Sequence, residues 1–156
     1  MEEELKVYEE YANNPLKFIE DMFWLTPQAV LPEYKTLLED CRATGDYSRM
    51  KASMFTPFTK YENLTWQQVE IVLSVDRAIK WEDKKKISIK SGHWIGKSSI
   101  ISIIIIRFLF CYYHAVIGCT APTQIQMQDV LWKELALWKD RLPDWIKDLF
   151  EHTQNY

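Results

Sequence analysis

Residues 91–98, Ser-Gly-His-Trp-Ile-Gly-Lys-Ser, constrain the fold most, because they lie between a strand pattern and a helix pattern. Before them, residues 86–90 alternate polar and apolar side chains, which predicts a strand with its two isoleucines on one side. After them, a long apolar run predicts a helix over residues 97–113. Two of the four glycines in the chain fall in this loop. This order of strand, loop and helix predicts a phosphate-binding turn.

The loop is close to the Walker A pattern, in which a glycine and four variable residues precede Gly-Lys-Ser or Gly-Lys-Thr. Ser91 stands at the first glycine position, and Gly92 follows it by one place. Gly92 and Gly96 allow the backbone N–H groups to turn inward around a phosphate at the positive end of the following helix. Lys97 is placed to reach the β- and γ-phosphates, and the hydroxyl of Ser98 to bind Mg²⁺.

A second apolar run, residues 115–119, is bounded by an Ala-Pro-Thr turn and is predicted to be a buried strand. The order strand, helix, strand predicts a parallel βαβ unit with a right-handed crossover. The expected class is therefore α/β, with a partial P-loop NTPase-like parallel sheet of about two strands, flanking helices and a helical N-terminal region. Helices are expected to dominate overall.

Capping signals locate several of these helices. Asn14 followed by Pro15 is typical of a helix start, and Thr65 with Gln68 has the spacing of a capping box. We predict helices over residues 16–23, 33–42, 66–80, 124–138 and 144–150. The carboxylate of Asp76 follows an apolar stretch, but it lies in the predicted helix 66–80 and is interpreted as a solvated charge at the end of the helix core.

The formal net charge of -3 excludes a global positive field that would attract nucleic acid. Any DNA contact is expected to be indirect or local, for example at Lys84, Lys85 and Lys86. The charged run 81–86 is more typical of a solvated turn.

Cysteine usage and hydropathy bear on the compartment. Cys41, Cys111 and Cys119 lack metal-ligand spacing, which favours reduced thiols in a cytoplasmic protein. No secretory signal pattern begins the chain. The apolar stretch 100–117 approaches the length of a membrane span, but Arg107 near its middle and the preceding loop favour a buried helix and no membrane association.

Four segments, in this order, resemble the N-terminal part of the ATPase domain of the terminase large subunit of tailed bacteriophages: residues 14–21, 66–68, 87–98 and 119–124. The resemblance implies an ATP- and Mg²⁺-binding loop and an adenine contact from Gln67. It also implies a basic residue near the start of the loop, for which Lys90 or His93 is the match. Thr120–Thr123 resembles a helicase-like motif Ia at the end of a strand.

The resemblance divides the chain into a helical N-terminal region, 1–60, and an incomplete P-loop ATPase core, 61–156. The family also uses a Walker B aspartate, a catalytic glutamate and a nuclease domain, and no segment matches them. We therefore expect ATP binding without independent hydrolysis and assign no catalytic residue. The location expected for such a phage protein is the cytoplasm of the bacterial host.

Two functions follow from this resemblance. The chain is either a segment of a DNA-packaging motor whose remainder supplies the missing groups, or an independent protein-interaction module. The second class includes a phage-encoded inhibitor of a host defence system, and homo-oligomers are possible in it. Partly open apolar surface, including Trp132, Trp138 and Trp145, is expected to contact the partner.

Overall fold

A computed structural model describes residues 2–60, 62–80, 86–90, 92 and 95–150. The α-helices in it are α1 (Glu2–Asn13), α2 (Pro15–Phe23), α3 (Lys35–Thr44), α4 (Trp66–Lys80), α5 (Lys97–Cys111), α6 (Lys133–Asp140) and α7 (Asp144–Lys147). Short 3₁₀ turns span Pro32–Tyr34 and Ala52–Met54, and a π-helical segment, Gln126–Trp132, leads directly into α6. The expectation of a helix-dominated α/β chain with a small parallel sheet is confirmed at this coarse level.

Local capping signals determine where α2 and α4 begin. The Asn14 side chain accepts a hydrogen bond from the Lys17 N–H at 3.1 Å, and Pro15 opens α2. In the capping box of α4, the Gln68 N–H donates to the Thr65 hydroxyl at 3.3 Å, and the Thr65 N–H donates to Gln68 Oε1 at 3.0 Å. The predicted helix 66–80 is confirmed, and α5 begins at Lys97 as predicted but ends before residue 113.

The main core packs α1, α2, α4 and α6 against α5, and Ile146 of α7 is one of its buried residues. Its most buried side chains come from α2 and α5, among them Phe18, Ile100, Ile103 and Ile106. A smaller cluster of Leu38, Cys41, Met50 and Phe55 lies beneath α3. The side chains of α5 thus form the centre of the fold, which fixes the position of the loop that precedes it.

The sheet is formed by segments other than those predicted. Strands β1 (Thr26–Pro27) and β2 (Asn63–Leu64) are parallel, with Thr26 opposite Asn63 and Pro27 opposite Leu64. Residues 86–90 and 115–119 lie outside helix and strand, so the two predicted strands are wrong in this structure. Alternation alone does not make a strand, because a strand needs a hydrogen-bonding neighbour. Ile87 and Val116 are 41% and 90% exposed.

The interpretation of Asp76 as a solvated charge is also wrong. Asp76 lies in α4 as predicted, but it is only 7% exposed. Its Oδ1 accepts a hydrogen bond from Arg107 Nη2 at 2.8 Å, and Lys80 Nζ lies 2.8 Å from its Oδ2. Burial is possible because these two cations compensate the carboxylate.

Within the described residues, every helix falls short of the length and hydrophobicity that a membrane span requires. Helix α5, which contains most of the apolar stretch 100–117, is 15 residues long.

Candidate functional site

The loop before α5 brings a lysine and two glycines together. Gly96 immediately precedes the helix with a φ of +70°, in the left-handed region that favours glycine. Lys97 then turns back, and its Nζ donates to the Gly92 carbonyl at 2.6 Å. The ammonium group therefore lies against the backbone of the loop that the sequence identified.

The loop also has the positive end of a helix beside it. The Ile100 N–H bonds to the Gly96 carbonyl at 3.0 Å, which closes the first turn of α5. N–H groups in the first turn of a helix have no carbonyl partner within the helix, so they favour an anion. A side-chain methyl at Gly92 would meet no atom within 4 Å, which leaves open space on that side of the loop.

A carboxylate lies next to this helix start. Glu134 Oε2 accepts hydrogen bonds from the Ser99 hydroxyl at 2.8 Å and from Trp138 Nε1 at 3.2 Å. Ser98, the predicted Mg²⁺ ligand, is half-buried and precedes Ser99. The sequence contained no signal for Glu134, because it is 35 residues away from Ser99 and reaches it only through the packing of α6 on α5.

Gln68 contacts the loop, whereas Gln67 is the glutamine that was expected to contact adenine. Gln67 is half-buried in the first turn of α4. Its neighbour Gln68 donates from Nε2 to the Ile95 carbonyl at 3.2 Å. The sequence signalled this residue only as a capping residue.

The other predicted site residues are exposed or lie outside the described part of the chain. Ser91, His93 and the lysines at 84 and 85 are outside the described residues. Lys86 and Lys90 are exposed, as is the segment Thr120–Thr123. The Thr123 hydroxyl accepts from the Gln126 N–H at 3.2 Å, so this residue caps the following helix.

A pocket of about 240 Å³ lies between α3 and the start of α4, away from the loop. Its wall includes Trp66, which stacks on Phe55 with ring centroids 5.0 Å apart. Arg42 also lines it, but its guanidinium is bound to the buried Glu70, with Nη2 2.6 Å from Oε1. This hydrogen bond raises the pKa of Arg42. The positive charge of Arg42 in the pocket is thus already compensated by Glu70.

Among the described residues, no group of three or more His, Cys, Asp or Glu side chains is arranged to hold a metal ion.

Comparisons of this chain with protein-family models, with curated proteins and with solved structures found no match. A function has therefore to be inferred from the residues of the chain itself.

Proposed function

We propose that the loop before α5 binds the phosphates of ATP together with Mg²⁺. We further propose that the chain is the nucleotide-binding N-terminal segment of a terminase-like DNA-packaging ATPase. One observation carries the proposal: the Lys97 ammonium lies 2.6 Å from the Gly92 carbonyl, across a loop that ends in a left-handed glycine at the start of α5.

The chemistry of these groups suits a polyphosphate. An ammonium on a backbone carbonyl can exchange that partner for phosphate oxygens, which form stronger charge-assisted hydrogen bonds with it. The first turn of α5 adds N–H donors and the positive end of the helix dipole. When bound, Mg²⁺ would offset the remaining phosphate charge. In this chain, Ser98 would hold it, and Glu134 on the adjacent Ser99 lies near the same end of the helix.

The proposal also includes a P-loop-like parallel sheet, which goes beyond the two-stranded sheet observed between β1 and β2. Residues 86–90 and 115–119 precede and follow α5, as the two strands of a βαβ unit do. We propose that these segments pair as strands when the remainder of the motor supplies neighbours for them. Catalysis is assigned to no residue of this chain, so the proposal is confined to binding.

The test is thermal unfolding of the chain with and without Mg²⁺-ATP, in the wild type and in Lys97→Ala. At about 100 times the dissociation constant, a ligand stabilises a protein by roughly 2.7 kcal/mol, which raises Tm by several degrees. We expect this shift in the wild type and its loss in Lys97→Ala. Lys51→Ala removes an exposed lysine outside the loop and should retain the shift. A wild type without a shift, or an equal shift in Lys97→Ala, would refute the proposal.

Exposed apolar side chains favour a second candidate, the protein-interaction module or inhibitor of a host defence system. Trp145, Ile125 and Tyr113 are 60%, 69% and 91% exposed. Trp138, expected to be open, is instead 8% exposed and packs edge-to-face on Phe23, so replacing it would test folding instead of binding.

Self-association is the partner that can be tested directly. If these exposed side chains join copies of the chain, sedimentation velocity will show concentration-dependent oligomers in the wild type and in Lys97→Ala. Trp145→Glu will then shift these oligomers to monomer. A monomeric wild type at all concentrations excludes a homo-oligomer.

A further inference from the structure

We propose that Gln68 is the positioning residue of the loop: one amide caps α4 and fixes the peptide between Ile95 and Gly96. The identity of the anion that the loop binds rests on the proposed function above. The positioning itself concerns only residues of this chain and is testable without a ligand.

The orientation of the Gln68 amide is fixed from the α4 side. The backbone N–H of Thr65 can only donate, and it lies 3.0 Å from Oε1, so this atom is the amide oxygen. The amide nitrogen therefore faces the other way and donates to the Ile95 carbonyl at 3.2 Å. Replacing either end of the amide would break one of the two hydrogen bonds.

Holding the Ile95 carbonyl sets the direction of the next N–H group. In a trans peptide, the carbonyl and the following N–H point in opposite directions. Because the Ile95 carbonyl faces Gln68, the Gly96 N–H faces away from α4. Gln68 thus orients a backbone donor that immediately precedes Lys97 and the first turn of α5.

A side chain at residue 96 would disturb this contact. A Cβ on Gly96 would lie 2.6 Å from Gln68 Nε2, closer than real Cβ atoms approach other atoms. Its φ of +70° also disfavours other residues. The backbone turn therefore favours glycine at residue 96, and a Cβ there would displace the end of the Gln68 side chain.

The contact links two parts of the site. Gln68 belongs to the first turn of α4, next to Gln67, whereas Ile95 and Gly96 lead into Lys97. A shift of the α4 start would therefore move the loop. The loop is expected to keep its geometry only while the capping box is formed.

Two variants separate capping from positioning. Gln68→Glu keeps the acceptor for the Thr65 N–H, since glutamate also serves in capping boxes, but it cannot donate to the Ile95 carbonyl at neutral pH. Thr65→Ala removes the hydroxyl cap and leaves the Gln68 amide in place. The readout is backbone hydrogen exchange without nucleotide at Ile100, whose N–H donates to the Gly96 carbonyl, compared with the exchange of α4.

In Gln68→Glu we expect exchange at Ile100 to be about two- to tenfold faster, as for the loss of one hydrogen bond, with α4 nearly unchanged. In Thr65→Ala the first turn of α4 should exchange faster, with a smaller effect on the loop. Equal exchange of the loop in Gln68→Glu and the wild type would overturn the proposal. Should Gln68→Glu not fold, Gln68→Met applies the same test, because it removes the amide; its effect on the loop must then exceed that of Thr65→Ala.

Thermal shifts with Mg²⁺-ATP keep this proposal distinct from the previous one. If the loop exchanges faster in Gln68→Glu but the wild type shows no shift, positioning stands and nucleotide binding fails. If both hold, Gln68→Glu should weaken binding by more than Thr65→Ala does. A loop that exchanges at the wild-type rate in Gln68→Glu refutes positioning whatever the ATP result.

Discussion

Replacing Arg107 with methionine should destabilise the fold strongly. Arg107 lies in α5 and is 3% exposed. Its Nη2 donates to Asp76 Oδ1 at 2.8 Å and to the Ala12 carbonyl at 2.7 Å, and its Nε donates to the Tyr11 carbonyl at 3.1 Å. The guanidinium thereby joins α4 and α5 to the last turn of α1. Methionine retains an apolar stem but no donor, so the packing loss is small.

The magnitude follows from what the substitution leaves behind. Removing one partner of a buried ion pair costs about 3–5 kcal/mol, because the other charge stays buried without compensation. Here Lys80 Nζ remains 2.8 Å from Asp76 Oδ2, which places the loss at the lower end, about 3 kcal/mol. For a chain of this length, that corresponds to a fall in Tm of roughly 10 °C.

Urea unfolding monitored by circular dichroism measures this loss directly. The urea concentration at the midpoint should fall. The slope of the free energy of unfolding against urea should stay the same, since the substitution does not change the surface area exposed on unfolding. The control is Lys17→Met, which removes one member of the exposed pair with Asp21 and should have a much smaller effect. A loss below about 1 kcal/mol in Arg107→Met would refute the claim that the Arg107 guanidinium holds α1, α4 and α5 together.

Three further predictions concern single side chains. Among the described residues, the buried Ser102 hydroxyl lacks a hydrogen-bond partner, so Ser102→Ala should raise the free energy of unfolding by about 1 kcal/mol; a loss would contradict this. Burial raises the pKa of the Cys111 thiol to about 11. In a variant that also carries Cys41→Ser and Cys119→Ser, this thiol should therefore react slowly with alkylating reagents at pH 8 and faster after unfolding. Hydrogen bonding from Lys17 lowers the pKa of Asp21, so its stabilisation is present above the unfolded pKa near 3.8 and is lost as the pH falls through the folded value. Asp21→Asn should therefore flatten the acid side of the stability profile below the unfolded pKa, and an unchanged profile would contradict this assignment.

Helix starts could be read from the sequence because their signals are local. The Asn14 cap, the capping box of Thr65 and Gln68, and the glycine before Lys97 each act within about one turn of helix. These interactions need no distant partner. The position of the lysine-containing loop at the start of α5 follows from the same local rules.

Strands and buried charges could not be read in this way. Residues 86–90 and 115–119 carry strand patterns, yet a strand forms only where another strand completes its hydrogen bonds, and the observed pairing joins β1 to β2 instead. Asp76 looked solvated because its main partner, Arg107, is 31 residues away. Long-range pairing of this kind depends on how the helices pack.

The sequence by itself determined where α2, α4 and α5 begin, and with α5 the position of Lys97, because turn preferences and capping act between near neighbours. Only the tertiary structure decided that Gln68 contacts the Ile95 carbonyl, that Glu134 lies on Ser99 and that Trp138 is buried. The physical reason is that these contacts join segments 27 to more than 100 residues apart. Their formation depends on which helix faces pack together, and no local pattern specifies that choice.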